Sequence, residues 1–564
     1  MNNSEPASVN YCPSKTGLFN GVKAWTRRDW IQTTATAVGA MILTQQRSFG
    51  VSDHPGQQLR LPPDWNGSPL VIDEADLEVW PGQTTKMLAI NGLSPGPTIR
   101  LKRDDIYKAQ IRNQLDDEEV VLHWHGLLSP AEYDGHPSQT VPPGESYDVA
   151  IPIIQDPSMC WYHAHTHGLT GSQVYRGLAG LFLIENPERD SALNLPTGER
   201  DVPLVIRDWK SNAGFEMTYA PSMFEHMWGY LGDAALVNGT PDAWFSVDQG
   251  VWRFRLLNGC NARVLRLGFS DGRTMRLIGS DGGLSGNITA VTSMDLGPGQ
   301  RAEILVSFDD LSMGASTILR SLAFPISAPG GGPAGPRQGD PLDLITFHVD
   351  TDSGPTSLPS TLPAPVLTDP EEAVFTRTFA LGRAAGQHTI NGLTYELSRI
   401  DFQVSSGDVE IWEFINQTQD YHPMHSHAAF FNVVSRNGVA TTLPIDRGWH
   451  DTVLVYPNET VRVAITFGPR PGIYLVHCHN LEHEHMMMLN FEVIVSNTPV
   501  LEIQHLKNEF IISWPAPSKG WKLETSGDLS LWLALDVEPT LVDNNFEVRQ
   551  EITSPRQFYR LAKA

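Results

Sequence analysis

From about residue 60 onward, apolar and polar positions alternate in short runs that stop at Gly, Pro or Asn. Residues 107–112 (Tyr-Lys-Ala-Gln-Ile-Arg), 252–257 (Trp-Arg-Phe-Arg-Leu-Leu) and 461–466 (Val-Arg-Val-Ala-Ile-Thr) are three of them. A period of two sends successive side chains to opposite faces of a strand, so these runs predict β-strands. Stretches with a 3.6-residue period are nearly absent, and one short helix is predicted around residues 221–227. Short strands at this spacing predict an all-β chain of sandwiches or barrels.

A weak internal echo divides the chain. Asn91-Gly92, Asn238-Gly239 and Asn391-Gly392 each precede a strand-rich block of similar length, and Asn-Gly is a hairpin turn signal. The reading is three related β domains at 60–190, 200–350 and 370–496. Pro/Gly/Ser-rich stretches near 325–340 and 353–370 interrupt the second and third. Residues 498–564 read as a separate small β domain, with Trp514, Trp521, Trp532 and Tyr559 as candidate core.

The 564 residues suffice for three or four domains. Hydrophobic residues at 41% and charged residues at 18% suit packed β domains rather than disorder. A formal charge of -24 repels phosphates and anionic lipid heads, which argues against nucleic acid and membrane surfaces as partners.

Residues 1–50 read as a leader. Arg27-Arg28 precede a short, mildly apolar run at 33–43, the pattern of a twin-arginine export signal. The run is shorter than the roughly 20 apolar residues that span a bilayer. The expectation is an exported protein, periplasmic or extracellular, with no membrane span. Cys12 lies in this leader. Cys160 and Cys260 form a disulfide or stay as buried thiols; spacing alone leaves both open.

Four histidine segments carry the chemistry: His123-Trp-His125, His163-Ala-His165, His422-Pro-Met-His425-Ser-His427 and His477-Cys478-His479 followed by His483 and Met488. On a strand, His-x-His points both imidazoles to one face. Four such pairs converging exceed what one ion can use, so several metals are implied. In His477-Cys478-His479 the cysteine faces away from its neighbours and serves another site. His483 and Met488, five and ten residues on, return to it around a loop, and His422 completes it. Two imidazoles, a thiolate and a weak thioether describe a blue-copper centre. Zinc has no redox role and would leave the His-Cys-His link unexplained.

At these residues the chain resembles the multicopper oxidases, in particular bacterial copper-efflux oxidases and bacterial laccases. Residues 255–263, 279–283 and 448–453 resemble that branch as well, and the resemblance covers about 60–496. It implies three cupredoxin-like Greek-key domains and four coppers. His123 and His425 would hold type 2. His125, His163, His165, His427, His477 and His479 would hold the type 3 pair. His422, Cys478, His483 and Met488 would hold type 1. It also implies one-electron oxidation of a small reducing substrate coupled to reduction of O2 to water. Asp134 and Glu484 match acidic positions that deliver protons to the oxygen in this branch; a turn residue and a solvated acid are the plainer readings.

The remaining residues carry weaker expectations. His167 and His485 read as surface or neighbouring groups, Met486 and Met487 as packing, and Met217, Met223, Met227 and Trp228 as core or as the border of a substrate entry, with core preferred for a Met stripe. Asp420 stands near the type 1 ligands or is an exposed loop acid. The 310–400 stretch is nearly free of Met, unlike the Met-rich insertion of copper-efflux members, which favours a laccase-like activity on phenols or aromatic amines. The alternatives are Cu(I) oxidation in copper tolerance, a non-catalytic cupredoxin-fold copper protein and a two-domain nitrite reductase. The last lacks this full set of His pairs.

Overall fold

The computed structural model describes residues 54–326, 336–352 and 357–495. Beyond these it describes 501–506, 509–515, 521–535, 537, 539–542, 545–551 and 556–563. The leader read at 1–50, with Arg27, Arg28 and Cys12, lies outside the described residues.

The alternating runs form strands, at Ile106–Asn113, Val251–Asn258 and Thr460–Thr466. The first region is a pair of four-stranded sheets. One is ordered Gln83–Ile90, Leu70–Trp80, Ile106–Asn113, Ser146–Pro152. The other is ordered Gly96–Leu101, Ala179–Ile184, Met159–Ala164, Leu122–His125. Leu122–His125 is called β1 and Met159–Ala164 β2. The core of this region includes Leu70, Ile111, Trp124, Tyr162 and Phe182. Each large apolar side chain so buried stabilises the fold by about 1.5–3 kcal/mol.

The second region pairs a six-stranded with a seven-stranded sheet around a core that includes Leu204, Phe254, Leu267, Ile304 and Phe347. The predicted helix is present at Met223–Trp228 (α1). Ser222 and Glu225 cap it reciprocally, and Gly229 ends it at φ 100°. The third region pairs a six-stranded with a five-stranded sheet. The five-stranded sheet holds His422–Ser426 (β3), Gly472–Cys478 (β4) and Met488–Ile494 (β5). The short helix Leu481–Glu484 (α2) links β4 to β5.

All three Asn-Gly pairs have positive φ at both residues, at 55° and 73°, 49° and 73°, 55° and 76°. That backbone matches the twist of a two-residue hairpin turn. The first and third repeat the same closure, Ile90 N to Leu93 O at 3.0 Å and Ile390 N to Leu393 O at 3.0 Å.

The tail has a four-stranded and a three-stranded sheet. Its buried residues include Ile512, Trp514, Leu523 and Val548, with Tyr559 packed against them. Trp521 and Trp532, expected in this core, are only half-buried. Cys160 and Cys260 are buried free thiols. Among the described residues no helix is long and apolar enough to cross a membrane.

Candidate metal centre

Strand parity sorts the histidines. β1 and β2 are antiparallel neighbours with His123 opposite His163. β3 and β4 are antiparallel with His425 opposite His477 and Met424 opposite Cys478. Directly opposed residues share a face. His425 and His477 therefore look one way, and Met424 and Cys478 the other. His422 lies two residues before Met424 and shares the Cys478 face.

The eight histidines that exclude His422 and His483 are all buried. His123, His125 and His425 group their ring nitrogens within 4.8 Å, as do His125, His163 and His479, and His165, His427 and His477. Several nitrogens face each other directly. His425 Nε2 is 3.4 Å from His123 Nε2, His165 Nε2 is 3.3 Å from His477 Nε2, and His427 Nε2 is 3.1 Å from His477 Nε2. The opposite nitrogens are spoken for. His123 Nδ1 lies 2.7 Å from Asp134 O, His163 Nδ1 2.9 Å from Ala164 O, His425 Nδ1 2.9 Å from Asp451 O and His477 Nδ1 3.1 Å from Cys478 O. A carbonyl only accepts, so these rings carry hydrogen on Nδ1 and turn bare Nε2 lone pairs inward. His163 Nε2, His125 Nδ1 and both nitrogens of His479 have no hydrogen-bond partner. Facing lone pairs repel unless a cation lies between them. Two nitrogens about 2.0–2.1 Å from one tetrahedral ion are about 3.3 Å apart, which fits the observed gaps. Burial holds His123, His125, His165, His427, His477 and His479 well below the usual histidine range, as neutral imidazole, the form that binds metal. It pushes His163 down to about 3.

The second donor set lies on the other face. Cys478 Sγ is 3.4 Å from His422 Nδ1 and 4.0 Å from His483 Nδ1. The far nitrogens are occupied, His422 Nε2 by Thr418 Oγ1 at 2.9 Å and His483 Nε2 by the Met227 carbonyl at 3.1 Å. Both Nδ1 atoms are thus free for an ion beside the sulfur. All three residues are buried.

Met488 does not join this set. The β4–β5 register pairs it with His477 and pairs Leu489 with Val476, so Met488 shares the His477 face. Its side chain packs with Leu475 and Tyr395. Met487 belongs to the core cluster that holds Cys478 and Met424, and its carbonyl accepts the Cys478 N–H at 3.0 Å. A ten-residue count from Cys478 misses because the α2 turn brings the chain back opposite Cys478 after nine. Met487 is the thioether on the sulfur's side.

Asp134 and Glu484 are both buried against histidines. Asp134 Oδ2 is 2.6 Å from His427 Nδ1 and its Oδ1 accepts from Ser129 at 2.5 Å. Glu484 Oε1 is 3.4 Å from His165 Nε2 and accepts from Thr170 Oγ1 at 3.3 Å. Burial raises Asp134 to about 7 and Glu484 to about 8. Neither is a solvated acid.

Asp420 is no exposed loop acid either. It is buried and ion-paired with Arg383, which also lies over the Trp228 ring. Asp420, Trp228, Tyr421 and Asn480 line a surface cleft, and Asn480 Nδ2 is 3.3 Å from His483 Nε2. Of the residues expected in the core, Met223 is 84% exposed and Met227 acts through its carbonyl. Met217 packs beside Trp209. His167 is exposed, with Nε2 3.3 Å from His485 O.

Sequence reasoning missed four residues here. His388 stacks on His483 at 3.7 Å. Glu482 accepts from Tyr219, Tyr230 N and Asn261. Thr418 and Asp451 hold ligand-set imidazoles. Asp451 falls in the 448–453 stretch that resembles the family, but its partner His125 lies 326 residues away, and His388 lies 95 residues from His483, so the local sequence assigns neither a role.

Two family descriptions of multicopper oxidase match, over residues 72–189 and 361–497. The multicopper oxidase mco of Staphylococcus epidermidis is 31% identical over 76% of this chain and 88% of its own length. The laccase of Bacillus subtilis is 30% identical over 72% of this chain and 89% of its own. The crystal structure of McoA multicopper oxidase from Aquifex aeolicus superposes with a TM-score of 0.71 at 34% identity, covering 78% of this chain and 100% of that one. The cupredoxin-like all-β fold and the histidine sets define a copper-dependent oxidoreductase. The chain belongs to the multicopper oxidase family.

Proposed function

We propose that the chain oxidises phenols or aromatic amines one electron at a time and reduces O2 to water, using four coppers. The observation that carries this reading is the parting of Cys478 from its strand neighbour His477 to opposite faces, with His479, just past the strand, grouped with His125 and His163. In this reading His422, Cys478, His483 and Met487 hold type 1 copper. His123 and His425 hold type 2, and the other six histidines hold the type 3 pair. Copper supplies the one-electron chemistry and the affinity for O2. The peptide links from Cys478 to His477 and His479 join the two donor sets covalently. Trp228 and Tyr421 offer aromatic surface to a donor in the cleft beside Asn480, and Asp420 there can accept a phenolic proton. Asp134 and Glu484 would hold protons beside the histidines where oxygen is reduced. The paired arginines support export through a twin-arginine route.

The test is O2 uptake by fully copper-loaded protein with a phenolic donor and, separately, with Cu(I). Sustained uptake with the phenol, four donors oxidised per O2, is the expected result. Uptake with Cu(I) alone would overturn the substrate class, and uptake with neither would overturn the oxidase reading.

A further inference from the structure

Asp451 directly precedes the strand Thr452–Val455, which pairs with β3. It meets two ligand-set imidazoles through two different groups. Its carboxylate Oδ1 is 3.1 Å from His125 Nε2, and its backbone carbonyl is 2.9 Å from His425 Nδ1. An ionised carboxylate and a peptide carbonyl can only accept. Hydrogen therefore sits on Nε2 of His125 and on Nδ1 of His425.

These two rings stack at 3.7 Å and 9°. Though parallel and adjacent, they turn opposite nitrogens inward. His125 presents Nδ1, which has no hydrogen-bond partner, while His425 presents Nε2, 3.4 Å from His123 Nε2. Thr452 Oγ1, 3.2 Å from both rings, donates to Asp451 Oδ1 at 2.8 Å and so reinforces the same arrangement.

The carboxylate is clamped in turn. Arg301 reaches it with both Nη groups, Nη1 at 2.7 Å from Oδ1 and Nη2 on Oδ2. Arg301 comes from the strand Arg301–Ser307 of the second region, which contributes no histidine to the cluster. Its Nε donates to Met159 O at 2.9 Å, its Nη1 to Gly299 O at 2.9 Å, and its own N–H to Asp281 at 2.7 Å. The two-point contact with this buried guanidinium holds Asp451 as a carboxylate.

We propose that Asp451, clamped by Arg301, is a positioning residue that fixes opposite tautomers on His125 and His425, and so selects Nδ1 of one and Nε2 of the other as copper donors. This rests on the reading of both histidines as ligands. It also gives the second region a part in the metal centre.

The test is Asp451→Asn, which keeps the backbone carbonyl under His425 but sets an amide N–H2 against Arg301 or His125. The expected result is a loss of copper affinity at the histidine cluster of about 10–100-fold. It would be read as copper lost to a chelator and an altered EPR signal from the non-blue copper, with the blue band at full intensity. A purely structural role would lower Tm and leave that EPR signal alone. Native copper retention with a native EPR signal overturns the proposal. Should the variant not fold, nitrogen-15 histidine spectra of the fully reduced, copper-loaded parent decide. Hydrogen on His125 Nε2 and His425 Nδ1 supports the proposal, and hydrogen on the same nitrogen of both overturns it. A parent protein that takes up copper beside Cys478 alone overturns the ligand reading itself, and is recognised without any variant.

Discussion

His477 and Cys478 are neighbours in β4 whose side chains enter different donor sets: His477 Nε2 lies 3.1 Å from His427 Nε2, and Cys478 Sγ lies 3.4 Å from His422 Nδ1. The pleat of one strand separates the sets, and one peptide bond joins them. The pairing strand repeats the device, with His422 and His425 on opposite faces of β3.

The same parity selects between two methionines. Met487→Leu should shift the blue absorption band and raise the reduction potential of the copper beside Cys478, since a thioether donor is lost there. Met488→Leu should leave both at parent values. Visible spectra and redox titration of the two variants check this, and the reverse pattern would make Met488 the thioether donor.

Asp134→Ala and Glu484→Ala should each slow reoxidation of the reduced protein by O2, by about 10²–10⁴-fold if the lost group moves protons. The blue colour should survive, because the two carboxylates contact histidines of the other set, His427 and His165. Rapid mixing of reduced protein with O2 measures the rate. A bleached variant would assign these residues to copper retention instead.

Gly135 sits at φ 85° directly against β1. A Cβ there would collide with the Leu122 carbonyl and come within 2.6 Å of His123 Cα. Gly135→Ala should therefore cost about 1–3 kcal/mol in backbone strain and displace His123. Chemical unfolding and copper content of the variant test both halves. An unchanged copper content would show that β1 does not yield.

A buried ion cluster in the second region makes part of the stability depend on acid pH. Arg253 bonds to Asp190 at 2.7 Å and to Glu303, and Arg255 pairs with Asp201. Burial would raise Asp190 and Asp201, but Arg253 outweighs it at the first, and Arg255 with Arg253 at the second, so both carboxyls lie below their ordinary value. A depressed carboxyl contributes stability above its unfolded pKa of about 3.9, and that stability is lost as pH falls through the folded value. Arg253→Met should cost about 3–5 kcal/mol near pH 7, and the difference should shrink below about pH 4. Urea unfolding of both proteins across this range measures it. A difference constant down to pH 3 would contradict the account.

Much of the fold was legible because its signals are local. Alternation marks strands wherever one face is buried, and Asn-Gly marks turns because few residues tolerate two positive φ values. His-x-His and His-Cys-His were legible for the same reason, since parity needs no tertiary information. Met488 was misjudged because a residue count carries no register: the turn through α2 decides which methionine comes back opposite Cys478. Arg301 was illegible as a partner of Asp451, 150 residues away and on a different sheet. Trp521 and Trp532 show the limit of composition, since a small two-sheet domain buries few side chains fully.

Replacing Cys478 tests the central claim most directly. Copper analysis and visible spectra of Cys478→Ser should show one copper equivalent lost and the blue band gone, with the copper of the histidine cluster retained. A blue band that persists, or loss of all copper together, would contradict two donor sets parted by a single strand.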